Sequence, residues 1–455
     1  MLLAHAFGQR YELPIPLLLF VGGGAAIVVA SFLVIAPRRV EAPPAAEAVE
    51  EPPRPGWGAA GVLALALVII CGLYGSQTVS ENIVPTLFWL IAWIAVPLSC
   101  GVLGDWTRSV NPFAYLARLT DRPGLRRALL GTEAPVTWRF GWWPAVVLFF
   151  LAACGELVFN LWATVPAHTA LVLLVYGVVS AACGLLFGGA WAERGEMFGA
   201  LFATWGRLGL LRFGAQGRRG FGGGLDVPFE PSASRISFVL LLLVSVNFDG
   251  LLATPSWNRF EKGMPSHAAL RTLTFLLLAA AIAVLFGAFA AAAARAGRHQ
   301  ATFRQALTGL LPSLLPIAFG YLLAHNLEYL AVNVQLLGPL IGNPIGMTSW
   351  PLHLPYPFND TYEVHAHFLP TAFYWYVSVA VIIAVHVVAV LLAHRHLGRR
   401  GADERAARSS EYPWLVAMVA YTMLSLWLIA QPLVQEKQPP ASPVKAQVAV
   451  SVTRG

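Results

Sequence analysis

The stretch Leu273 to Ala293, LTFLLLAAAIAVLFGAFAAAA, contains neither a charged residue nor a proline. At 1.5 Å per helical residue it is long enough to cross ~30 Å of hydrocarbon, which reads as a transmembrane helix. Nine other stretches read the same way. Before it come Leu13 to Ala36, Ala59 to Gly75, Leu87 to Leu103, Trp143 to Ala163, Ala170 to Ala190 and Ile236 to Ala253; after it come Leu310 to Leu330, Ala372 to Ala393 and Trp414 to Leu433. The composition agrees. Of 455 residues 57% are hydrophobic and 12% charged, whereas a soluble domain carries about 25% charged residues. The expected fold is all-α: a polytopic transmembrane bundle of about ten spans, forming one domain over residues 1–433.

The net charge of +7 raises the question of nucleic acid, and its distribution answers it. With the first span entering from outside, twenty-three of the 30 lysines and arginines fall in inner loops and seven fall outside. The pairs Arg38-Arg39, Arg126-Arg127, Arg218-Arg219 and Arg399-Arg400 are all inside. This is the positive-inside bias of a plasma-membrane protein with both termini outside. The lipid bilayer is the expected partner, and nucleic acid is not. Cys71, Cys100, Cys154 and Cys183 lie in apolar runs and read as small packing residues, not as a disulfide framework.

Between spans, residues 37–57 read as an acidic, proline-rich cytoplasmic linker, and residues 434–455 as a flexible outer tail. Between Gly195 and Leu211, the run MFGALFATWGRLGLL reads as an interfacial helix on the inner leaflet or as a plain loop helix. Residues 342–370 form a long outer loop with His353, Asp360, Glu363, His365 and His367 and no Lys or Arg. It reads as a lid.

Three carboxylates lie within the spans: Glu156, Asp249 and Glu328. A charge facing lipid is costly, so each should face the bundle interior or a wet cavity, and each is a functional candidate. Glu156, Asp249 and His325 all fall ~20 Å from the inner starts of their spans, one shared layer in the outer third. Tyr321, His325 and Glu328 follow at i, i+4 and i+7 and share a helix face. Glu156 and Asn160 do the same, whereas Asn247 and Asp249 point apart, so at most one of them joins the site. Imidazole and carboxylate together suit a divalent metal, with zinc, iron or copper all compatible. Interhelical hydrogen bonding and an ion or proton path are the other readings of the same residues. His386 belongs to a deeper level, as a hydrogen-bonded histidine or a ligand of its own.

Six blocks carry a resemblance: AHAFGQRYELPIPLLLF near the start, NPFAYLARL from Asn111, WWPAVVLFFLAACGELV from Trp142, VNFDGLLATPSWNR from Val246, LPIAFGYLLAHNLEYLAVNVQ from Leu315 and FYWYVSVAVIIAVHVVAVLLAHRHL from Phe373. In this order they resemble a family of bacterial polytopic membrane proteins labelled fenitrothion hydrolase. That resemblance implies cleavage of aryl phosphorothioate triesters, small apolar substrates that partition into membranes. It implies a metal-bound water as nucleophile, with His325 and Glu328 as leading ligands, Asp249 or Glu156 orienting the water, and the loop residues His365 and His367 closing the shell. A partner membrane protein could supply part of such a site.

Two alternatives stand beside it. In proteins resembling this one the opening histidine follows a signal-like stretch, and its release would make a terminal amine and imidazole pair suited to copper. Here only MLLA precedes His5, too short for a signal. A transporter would be expected to show inverted repeats and broken helices; no long repeat is present. No P-loop, GxSxG elbow or dinucleotide fingerprint occurs, which removes the usual support for nucleotide, serine-hydrolase and Rossmann chemistry.

Overall fold

A computed structural model of the chain describes residues 11–36, 53–213, 222–225 and 229–436. It is a helical bundle. Among the described residues nine helices are long and apolar enough to cross a membrane. These are α1 (Leu17–Ile35), α2 (Pro55–Tyr74), α3 (Ile83–Leu103), α5 (Pro166–Phe187), α7 (Ala233–Leu252), α8 (His267–Ala296), α9 (Phe303–Gly342, whose regular part ends at Asn333), α10 (Thr371–Arg400) and α11 (Glu404–Leu433). Two shorter helices matter to the site, α4 (Trp143–Leu157) and α6 (Met197–Trp205). His5, most of the 37–57 linker and the tail beyond residue 436 lie outside the described residues.

The fourth expected span is interrupted. α4 stops at Leu157, and after Val158 and Phe159 a separate turn runs from Asn160 to Ala163. Its 15 residues cover about 22 Å at 1.5 Å each, short of the hydrocarbon thickness. A helix that ends early leaves carbonyls that need donors. Around the break Val158 N and Phe159 N donate to Cys154 O and Arg271 donates to Leu157 O; in the turn that follows, Thr164 donates to Asn160 O, and Trp89 and Thr169 donate to Ala163 O.

A tenth crossing by this broken segment agrees with the pairing of the two chain ends. β1 (Tyr11–Leu13), just before α1, pairs in parallel with β2 (Val434–Glu436), just after α11. The two ends of the described chain therefore lie on the same side, which requires an even number of crossings. Nine long helices alone would put them on opposite sides; with the α4 segment there are ten. β2 also shows that the stretch from residue 434, expected to be flexible throughout, begins with a paired strand.

α6 is not an interfacial helix. Met197, Phe198, Ala200, Leu201, Phe202, Thr204 and Trp205 are all buried, and the helix packs against α3 and α4. Its anchor is Glu196, fully buried at the N-cap, which accepts hydrogen bonds from Phe198 N (3.0 Å), Gly199 N (2.6 Å), Tyr176 Oη (2.7 Å) and Asn111 Nδ2 (2.7 Å). Burial pushes the Glu196 carboxyl above the usual carboxylate range, and these four donors oppose that rise. A short helix off the spans is tolerated where protein covers it.

Candidate functional site

The site is built from α3, α4, α7 and α9. In α7, Asn247 and Asp249 are two residues apart, so they diverge around the helix. Asn247 turns toward α11 and bonds Tyr421 Oη. Asp249 turns toward α9, where its Oδ2 lies 2.9 Å from His325 Nε2. His325 is 3% exposed. Its ring stacks on Tyr321 one turn earlier, at 5.9 Å between centroids and 13° between planes. Ser378 of α10 donates to Ala324 O at 3.1 Å and fastens α9 to α10 beside the histidine.

Glu156 enters from the last turn of α4. Its Oε2 accepts from Trp93 Nε1 at 2.5 Å. Trp93 belongs to a π-helical stretch of α3, Thr86–Ala95, a departure from α-helix that recurs at functional sites. Phe149 stacks on the Trp93 indole at 5.5 Å and holds it.

Glu156 and Asp249 line one cavity of about 50 Å³ together with Asn326, Ser245, Trp205 and Leu201. That volume has room for a few water molecules. It is far below the roughly 300 Å³ at which small-molecule pockets begin. Carboxyls from α4 and α7 thus line a small space with mixed polar and apolar walls, and His325 of α9 reaches it only through its contact with Asp249. Such a set can hold a proton at Asp249–His325 and exchange it with water.

The remaining residues singled out from sequence are elsewhere. Glu328 shares the α9 face of His325 as its spacing requires, but it does not line the cavity, and its Oε2 is buried without a hydrogen-bond partner among the described residues. Asn160 is separated from Glu156 by the break after Leu157. His365 and His367 are exposed in the loop after α9. The loop is held by Gln335, whose Oε1 accepts from His365 N at 3.0 Å and Tyr362 Oη at 3.1 Å. Among the described residues no three His, Cys, Asp or Glu side chains come together to hold a metal ion. His386 sits apart, its Nδ1 2.7 Å from Ile382 O and its ring beside Tyr421.

Sequence reading did not pick out Trp93, Leu201 or Trp205. Aromatic and aliphatic side chains in apolar runs carry no mark of what they touch. Arg271 was equally unmarked, since a lone arginine near the outer end of α8 reads as interfacial. Comparison of the chain with protein-family models, curated proteins and solved structures finds no match to any of them.

Proposed function

We propose that this multi-pass membrane protein works by proton transfer at the Asp249–His325 pair, with Glu156 as the second carboxyl of the same cavity. The 2.9 Å contact between His325 Nε2 and Asp249 Oδ2, with Asp249 on the wall of a water-sized cavity, carries the reading. With Asp249 ionised, the imidazole proton sits on Nε2 and donates to Oδ2, which makes Nδ1 the basic nitrogen. The pair then accepts a proton from one side and releases it to the other, and Glu156 is the next group able to carry it. Intramembrane carboxyl and histidine residues serve such relays in proton-coupled transport. The test is proton flux into vesicles holding a pH-sensitive dye. Wild type should conduct under an imposed gradient, and Asp249→Asn and Glu156→Gln should lose most of that flux; equal flux in all three would reject the relay.

Hydrolysis is the second reading, favoured by the resemblance to the fenitrothion hydrolase family and by the apolar walls around the pair. Here Asp249, on the cavity wall and held by His325, takes a proton from a cavity water, the resulting oxygen attacks phosphorus, and the aryl oxide leaves with that proton returned by the Asp249 carboxyl. An aryl triester does not fit about 50 Å³, so this reading requires the cavity to widen. Release of the phenol by purified protein, abolished in Asp249→Asn, would select it. Among the described residues no three His, Cys, Asp or Glu side chains are grouped to hold a zinc, iron or copper ion, and in this reading the acid–base pair supplies the chemistry. The resemblance and the arginine bias together support a bacterial plasma membrane as its location.

A further inference from the structure

The largest cavity described so far holds a few waters; a much larger one, about 290 Å³, lies at the arginine-rich end of the bundle. The last turns of α10 supply Arg395, His396, Arg399 and Arg400 to its wall, and the first turns of α9 supply Gln305. No Asp or Glu among the described residues lines it. Arg395, Arg399 and Arg400 give this wall a positive field.

Two further observations add to the positive field. Phe229 lines the same cavity, and Arg207 lies over its ring at 3.8 Å with Arg235 at 5.0 Å. Arg235 is 4% exposed, and its Nη1 is buried without a hydrogen-bond partner among the described residues. One face of the first turns of α9, with Gln305, Thr308, Gly309 and Pro312, adds to the wall. The rest of the wall is apolar, with Leu225 and Leu392. Arginine is the side chain whose planar fork matches phosphate oxygens.

We infer that this cavity binds a phosphate-bearing anion, with the phosphodiester headgroup of an anionic phospholipid and free phosphate as the two sources of that chemistry. Basic pockets between spans at the positive end of a membrane protein take anionic headgroups in this way. The volume exceeds what one phosphate fills, and the apolar wall suits the glycerol and the start of acyl chains.

The test is binding to the full-length protein in zwitterionic phosphatidylcholine nanodiscs, titrated with phosphatidylglycerol or with inorganic phosphate. The variant is Arg395→Gln/Arg399→Gln/Arg400→Gln, beside the charge-retaining triple lysine variant and the surface control Arg127→Gln. Native mass spectrometry reads bound lipid, and isothermal titration reads phosphate. Each arginine lost near the surface should weaken lipid binding about fivefold, so the triple glutamine variant should lose on the order of a hundredfold, while the lysine variant and Arg127→Gln retain most of it. Saturable binding of phosphate alone, with the same arginine dependence, would keep the site and make the soluble anion its ligand. Binding of neither probe to wild type, or a triple glutamine variant that is folded by circular dichroism and binds as wild type does, would overturn the inference.

Discussion

Arg271 Nη1 donates to the carbonyl oxygen of Leu157 at 3.2 Å, so a side chain of the long α8 caps the short helix whose penultimate residue is Glu156. The same guanidinium is gripped by Glu261, with Nε 2.5 Å from Oε1 and Nη2 2.8 Å from Oε2. A bidentate pair at the amino end of α8 thereby fixes the height of a carboxyl within the bundle.

Glu261→Gln should destabilise the protein by about 1–3 kcal/mol, because it leaves a partly buried arginine without its charge partner. The Arg271 hydrogen bonds hold the Glu261 carboxyl below the usual carboxylate range. A depressed folded-state pKa gives stability that is present above the unfolded value, about 4.3, and is lost as pH falls through the folded one. Thermal unfolding in detergent should therefore show a gap between wild type and Glu261→Gln that is constant near neutrality and closes in acid. A gap that persists unchanged in acid would refute the pairing as its source.

Trp93→Phe retains an aromatic ring stacked on Phe149 and removes only the N–H that Glu156 accepts. The expected cost is about 1–3 kcal/mol for a buried acceptor deprived of its donor. If proton flux also falls while the helical signal in circular dichroism is unchanged, Trp93 positions Glu156; unchanged stability and flux would show that the bond is dispensable.

Gly250 follows Asp249 and lies against Tyr321, where an added Cβ would come within 2.1 Å of the phenolic oxygen and 3.2 Å of Cζ. Gly250→Ala should cost about 1–3 kcal/mol by overpacking. Since the hydroxyl is the nearest atom, Tyr321→Phe in the same chain should recover much of the loss. A double variant no more stable than Gly250→Ala would mean that backbone effects dominate.

Gln335 bonds both backbone groups of His365, donating to its carbonyl at 3.3 Å and accepting from its N–H at 3.0 Å. Gln335→Ala should raise hydrogen exchange in the segment around His365 and leave exchange at Ser76 and Ile83 slow. Those two amides are held at the loop's other end by Ile345 O and Pro344 O. Uniform exchange across the loop in both proteins would exclude this local clamp.

Much of the fold could be read from sequence because charge-free length is a strong signal, and each of the ten stretches contains a helix. What hydropathy cannot register is the difference between lipid and protein as an apolar neighbour. That is why Met197–Trp205 reads as a surface helix yet is buried, and why the stretch from Gly155 to Asn160 reads as continuous although the helix stops at Leu157. Depth along a span was legible, since rise per residue is fixed, and Asp249 and His325 do meet. Membership of the cavity was not: Glu328 and His325 have suitable chemistry and spacing, but neither lines it.

The pairing of Tyr11–Leu13 with Val434–Glu436 has one more consequence. α1 packs against α10 and α11, so the earliest helix of the chain nests among the latest ones. The order of helices in space is thus closed, and which helix comes first is a property of the gene and not of the packing. A circular permutant that links the two strand ends and opens the polypeptide between α1 and α2 keeps every interhelical contact described above, and α1 would then be synthesised last, into a groove already lined by its neighbours.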